Sequence, residues 1–210
     1  MNEIKFYSVN SSYGFFSNFS PHRIFIEGEM WRTVEHYFQA SKFEDNTVKE
    51  KIKELESPMD AALLGRSREM KIREDWEEVK EDVMYEAVKF KFFQHLDLKK
   101  ELFLTQGALI IEHTKNDSYW GDGGDGTGKN RLGAIIMKVR DEIKNYSNDI
   151  NFILPPWIAF KGINQYDMFW RMGTGEDYIS EWFLFLLSVD LASYKNEFIE
   201  PEDWTGIYDL

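Results

Sequence analysis

The stretch DSYWGDGGDGTGKNRLG, from Asp117 to Gly133, packs six of the chain's fourteen glycines into seventeen positions. That density marks a backbone that turns sharply or lies close against a ligand, and how it is read decides the fold. Gly121-x-Gly123-x-x-Gly126 has the spacing of a dinucleotide-binding fingerprint. That motif needs a strand directly before it and a βαβ unit around it, yet the nearest strand pattern ends at Ile111, ten residues earlier. Gly123-x4-Gly128-Lys129 has most of a phosphate-binding P-loop, but Asn130 stands where a Ser or Thr hydroxyl should hold Mg²⁺. A calcium loop built on Asp117, Asp122 and Asp125 lacks the closing Glu of an EF-hand. A flexible surface loop is the remaining plain reading. Against it stand the aromatic pair Tyr119-Trp120 and the helix that follows, whose N-terminal N–H groups favour an anion.

Outward from the loop, the chain reads as helices with a few short strands, an α+β arrangement that is mainly helical. The helix after the loop runs from Leu132 to about Lys144, and Ala108–Ile111 before it reads as a strand. Asp75–Gln94 is the longest helical pattern, with Trp76, Val79, Val83, Ala87 and Phe90 at three- and four-residue spacing. Asp97 reads as the cap of a helix to about Leu104. Ser57-Pro58 and Thr33 read as the starts of two more, the first ending at Gly65 and the second carrying Val34, Tyr37 and Phe38 on one side. Lys5–Val9 and Arg23–Ile26 are strand patterns separated by turn-rich Asn10–Pro21.

The 210 residues carry 25 Lys and Arg against 37 Asp and Glu, a net charge of −12 that argues against a sequence-independent grip on nucleic acid. Cysteine is absent, which excludes disulfides, thiolate catalysis and Cys-ligated metals. The composition changes near residue 147. Residues 1–146 hold 22 basic against 26 acidic side chains, and residues 147–210 hold 3 against 11 together with four of the seven Trp. The expected organisation is therefore one domain over residues 1–146 and an acidic, aromatic-rich extension over 147–210. Trp170, Trp182, Phe183, Phe185 and Leu186 demand burial, so the extension is expected to pack on the domain as an appendage or to make a homodimer contact. Gly173 and Gly175 read as a break within it. The N-terminus lacks an apolar signal region, and the longest apolar run, Trp182–Leu187, is far below the roughly 20 residues that span a bilayer. The expectation is a cytoplasmic protein without a membrane partner.

Three ordered motifs then carry a resemblance. Tyr13-Gly14-x-Phe16-Ser17-Asn18-Phe19, Trp31-x-Thr33-x-Glu35-His36-Tyr37-Phe38-Gln39-Ala40, and Asp117-x-x-Trp120-Gly121 through Asn130-x-Leu132-Gly133 occur in sequence. Together they resemble the NADAR superfamily, associated with NAD and ADP-ribose metabolism, and within it the YbiA-like N-glycosidases of riboflavin biosynthesis intermediates. The resemblance runs from about Phe6 to Ile143, and residues 147–210 lie outside it.

What the resemblance implies is hydrolysis of a ribose C1′–N bond in a nucleotide-like substrate, such as a phosphorylated ribosylamino-pyrimidine. Such a bond breaks through an oxocarbenium-like transition state that a nearby carboxylate stabilises. Glu35 and Asp117 are the candidate catalytic acids. As local structure alone, Glu35 is a first-turn acid favoured by the helix dipole and Asp117 a turn-forming residue. For substrate binding, Trp120, Trp76 and Tyr13 could stack on a base. Arg66, Lys42, Lys129 and Arg131 could hold a phosphate, Asn18 and Asn130 a ribose or phosphate oxygen, and Gly121 close backbone contact. The apolar helix stripe gives Trp76 a packing role as well. His22, His36, His95 and His113 show no metal-ligand spacing, so the site is expected to work without metal or cofactor. Release of ADP-ribose from modified guanine in DNA is the alternative reaction. A module that binds an ADP-ribose-type ligand without cleaving it is the alternative of another class.

Overall fold

The computed structural model describes residues 2–209. In chain order the elements are β1 (Glu3–Phe6), β2 (Ile24–Ile26), β3 (Glu29–Trp31), α1 (Val34–Ala40), α2 (Asn46–Glu54), α3 (Pro58–Gly65), α4 (Trp76–Gln94), α5 (Leu96–Leu104), β4 (Leu109–Glu112), α6 (Arg131–Tyr146), α7 (Pro156–Ala159), α8 (Gly173–Leu186) and α9 (Leu191–Glu197). The fold is α+β, with helices dominant and strands short.

Local chemistry starts the helices where the sequence places them. Thr33 Oγ1 accepts the His36 N–H at 3.3 Å to open α1, and Ser57 Oγ accepts Met59 N–H at 3.2 Å to open α3 behind its N1 proline. Helix α2 was not read from the sequence; Asp45 caps it by accepting Thr47 N–H at 2.8 Å. The expected cap Asp97 is not one, and Asp75, at the start of the longest helical pattern, is not one either. Asp75 does not cap α4 because Arg73 occupies its carboxylate at 2.5 and 2.7 Å. Helix α5 starts at Leu96, one residue ahead of Asp97, with no side-chain cap.

The strands form two small sheets. β2 and β3 are an antiparallel hairpin whose turn residues Glu27 and Gly28 both have positive φ, 54° and 83°, the conformation that matches hairpin twist. β1 pairs in parallel with β4, Glu3 opposite Leu109 and Phe6 opposite Glu112. Helix α6 lies directly on β4: a Cβ at Gly133 would collide with the Ile110 carbonyl and the Asn130 amide.

Helix α4 is the central element. Trp76, Met84, Ala87, Val88 and Phe90 are buried, and from Phe90 to Gln94 every residue is buried. The single stripe expected from the sequence is thus closed on more sides near its C-terminal end, where residues 147–209 cover it. Gln94 Nε2 donates to both Phe25 O and Ala159 O at 2.8 Å, and Lys99 Nζ donates to Phe152 O. Within residues 147–209 the aromatic side chains stack on one another, and their polar tips are paired, as buried Trp and Tyr require. Trp182 Nε1 donates to Tyr194 OH at 2.9 Å, Tyr194 OH to Ile153 O at 2.8 Å, and Trp204 Nε1 to Ile163 O at 3.2 Å. The break expected around Gly173 and Gly175 falls at extended Met172, between a 3-10 turn at Met168–Arg171 and α8, and the two glycines form the first turn of α8 with Gly175 pressed on Phe169. Among the described residues no helix is long and apolar enough to cross a membrane.

Candidate active site

The 117–133 loop is a closed structure whose backbone is hydrogen-bonded to itself. Lys129, Arg131 and Leu132 N–H groups donate to the Ser118, Tyr119 and Trp120 carbonyls at 2.8, 3.1 and 3.1 Å. The anion site expected at the N-terminus of α6 is therefore filled by the loop's own carbonyls. Asp122 ties the loop down: its Oδ1 accepts Thr114 N–H at 3.2 Å and Gly124 N–H at 2.8 Å, and its Oδ2 pairs with His113 Nδ1 at 2.8 Å. Asn130, at φ 48°, is a clamp between α6 and β4. Its Oδ1 accepts Glu112 N–H at 3.0 Å and its Nδ2 donates to Ile110 O at 2.8 Å.

This rigid loop forms one wall of a cavity of about 580 Å³. The other walls come from the Ser17–Phe19 turn, α1, the end of α3 and Met84 of α4. Of the residues singled out in the sequence, Glu35, Asp117, Asn18, Lys42, Arg66 and Trp120 line it together. Trp76 stands behind the wall, its ring 5.0 Å from Phe38, which in turn meets Trp120 edge-on at 5.4 Å. Tyr13 stacks on Phe16 instead. Gly121 packs against Thr114 and the Glu112 carbonyl. Lys129 covers Tyr119 at 4.9 Å, and Asn130 is the clamp just described. Those five residues do not line the cavity.

Helix α1 delivers Glu35 into the cavity, only 5% exposed. The Asn18 carbonyl accepts the Glu35 N–H at 3.1 Å, which ties the first motif to the second. Gln39, one turn on, donates Nε2 to Glu35 Oε1 at 2.6 Å. Burial pushes the Glu35 carboxyl above the ordinary carboxylate range, opposed by the Gln39 hydrogen bond and the Lys42 and Arg66 charges. Lys42 Nζ donates to Gly65 O at 3.2 Å, and its own burial lowers its pKa against the pull of Glu35. Asp117 Oδ1 accepts the N–H groups of Tyr119 and Trp120 at 2.8 and 2.7 Å. The turn role expected of Asp117 and its place on the cavity are thus held at once.

Sequence reasoning missed Gln39 and Glu112. Gln39 had a usable signal, since it lies four residues after Glu35 on the same helix face. Glu112 ends β4 and lines the cavity. Burial together with the charges of Asp117, Glu35 and Asp122 raises its carboxyl to about 7. The signal was a lone acid closing the apolar strand Leu109-Ile110-Ile111. His36, next to Glu35, plays a structural part, with Nδ1 against Thr33 Oγ1 at 2.8 Å and Nε2 against Leu55 O at 3.0 Å. Among the described residues no group of three or more His, Asp and Glu is arranged to hold a metal.

The arrangement is a half-open cleft with paired carboxylates, two cations beside one of them and an aromatic wall. Comparisons with known proteins agree with that chemistry. The NADAR domain family matches residues 5–144. An Escherichia coli protein named N-glycosidase YbiA is 50% identical over 140 residues, 67% of this chain and 88% of that protein. A riboflavin biosynthesis protein of Vibrio vulnificus is 39% identical over 152 residues, 71% of this chain and 41% of that larger protein. The NMR structure of Escherichia coli YbiA superposes with a TM-score of 0.66 at 48% identity, covering 69% of this chain and 86% of that one.

Proposed function

Because the chain belongs to the NADAR domain family, we propose that it is an N-glycosidase hydrolysing the ribose C1′–N bond of a phosphorylated ribosylamino-pyrimidine. The observation that carries this reading is the convergence of Glu35, Asp117, Lys42 and Arg66 on one cavity, and the names of the relatives support it. As the C1′–N bond breaks, positive charge develops on the ribose. Glu35 and Asp117 supply the negative charge that stabilises it and draw a proton from the attacking water. Lys42 and Arg66 hold the substrate phosphate, Asn18 a ribose oxygen, and Trp120 stacks on the base. Residues 147–210 are an extension beyond the domain, and its described part, 147–209, packs on the domain from the side of α4.

The test is release of base from the ribosylamino-pyrimidine phosphate by purified protein, with ADP-ribosylated DNA as a second substrate arm. Glu35→Gln is expected to lower kcat by about 100-fold or more, as removal of a charge-stabilising group does. Release of ADP-ribose alone would move the substrate assignment to modified DNA. No release from either, with ligand binding retained, would make the protein a binding module.

A further inference from the structure

Glu112 is placed by its backbone from both sides and left free at its side chain. Its N–H donates to Asn130 Oδ1 and its carbonyl accepts Asp122 N–H at 2.9 Å. Its carboxyl nevertheless has a buried oxygen, Oε2, with no hydrogen-bond partner. A buried unpaired acceptor is costly, and in a clamped residue on a cavity wall it points to a partner that arrives with the substrate. The cavity is also electrically divided. Lys42 and Arg66 bear on Glu35, whereas the charges that bear on Glu112 are those of Asp117, Glu35 and Asp122. A phosphate therefore belongs beside the cations, and the nitrogenous leaving group, a proton acceptor, belongs beside Glu112.

We propose that Glu112 is the general acid of the reaction, protonating the departing nitrogen while Glu35 and Asp117 act at C1′. This deepens the N-glycosidase reading and rests on it. The Glu112 O–H gives its proton to the nitrogen as that nitrogen takes the electron pair of the C1′–N bond. Water adds its oxygen to C1′ and yields one proton to Asp117 or Glu35. That proton passes to solvent, and Glu112 regains one from solvent, so one water is consumed per bond broken. A carboxyl held near pH 7 is partly protonated at neutrality, as an efficient acid should be.

The experiment compares wild type and Glu112→Gln on two substrates: the ribosylamino-pyrimidine phosphate, and a 4-nitrophenyl riboside 5-phosphate whose leaving group departs as a stable anion. Glu112→Gln is expected to cost about 100-fold in kcat on the first and less than about 5-fold on the second. The alkaline limb of the kcat/KM profile near pH 7 is expected to disappear with it. Ribose 5-phosphate should bind both proteins equally, which reports an intact site. Equal losses on the two substrates, or no loss on either, overturn the proposal. If the nitrophenyl compound is not cleaved or the variant does not fold, the wild-type profile on the pyrimidine decides, and absence of an alkaline limb overturns it. A wild type inactive on both substrates refutes the ribosylamino-pyrimidine reading on which the proposal rests, a result distinct from an active enzyme indifferent to Glu112.

Discussion

Glu35 is held by a contact that depends on a missing side chain elsewhere. A Cβ at Gly65 would collide with Gln39 Oε1, and Gln39 is the hydrogen-bond donor to Glu35. Gly65→Ala is therefore expected to push Gln39 off Glu35 and lower kcat by about tenfold while phosphate binding by Arg66 persists; steady-state kinetics beside ligand titration check it. Protonation gives a second expectation. Glu112 binds its proton more tightly folded, near pH 7, than unfolded, where 4.5 is ordinary. Its contribution to stability is complete below about pH 4.5 and is lost as pH rises through 7, and the raised carboxyl of Glu35 acts in the same direction. Lys91 does the opposite: fully buried with Nζ donating to Ser17 O at 2.9 Å, it is depressed to about 7, so its charging cost fades as pH climbs toward 10.5. Melting curves between pH 5 and 8 should show Glu112→Gln less sensitive to pH than wild type. At this scale the sequence revealed residues whose type and motif coincide, such as Glu35 and Trp120. It concealed Glu112, because a single acid at a strand end becomes informative only when Asn130 and Asp122 are seen to fix it.

The elements that build the cavity are legible in proportion to how local their causes are. Helices α1 and α3 were readable from cap residues that act within three positions. Strand β2 was legible within Arg23–Ile26, but its partner β3 and helix α2 were not, since the three residues of β3 carry little alternation and the Asp45 cap precedes a mostly charged run. The glycine loop was correctly separated from the Rossmann and P-loop patterns, yet its real organising residue, Asp122, was read only as a possible calcium ligand. Replacing Asp122 by Ala removes acceptors for Thr114 and Gly124 N–H and the partner of His113. That change is expected to cost about 2–4 kcal/mol in urea-unfolding stability and to free the loop that presents Asp117 and Trp120. Gly133→Ala forces α6 away from β4 and is expected to cost about 1–3 kcal/mol by the same measurement.

Over the whole molecule, charge and aromatic content divide as the composition indicated: 14 of 34 aromatic residues lie after residue 146, where net charge is −8. Their burial was foreseeable. The surface receiving them was not, because Gln94 and Lys99 look like solvated helix residues until Ala159 and Phe152 supply their acceptors. Ending the chain at Tyr146 would strip these acceptors from both and leave their buried polar ends facing solvent or unpaired. Such a truncated protein is expected to melt well below the full chain or to aggregate, as calorimetry and size-exclusion chromatography would show.

The parallel pairing of β1 with β4 bears on how the protein is made. A strand at residues 3–6 leaves the ribosome long before its partner at 109–112 exists, and its backbone edge stays open to other nascent chains meanwhile. The glycine loop is clamped to that same β4 through Asn130 and the Asp122 N–H. The strand that ends in Glu112 on the cavity wall thus relies on a partner made far earlier in the chain, and a defect in β1 would surface at that wall.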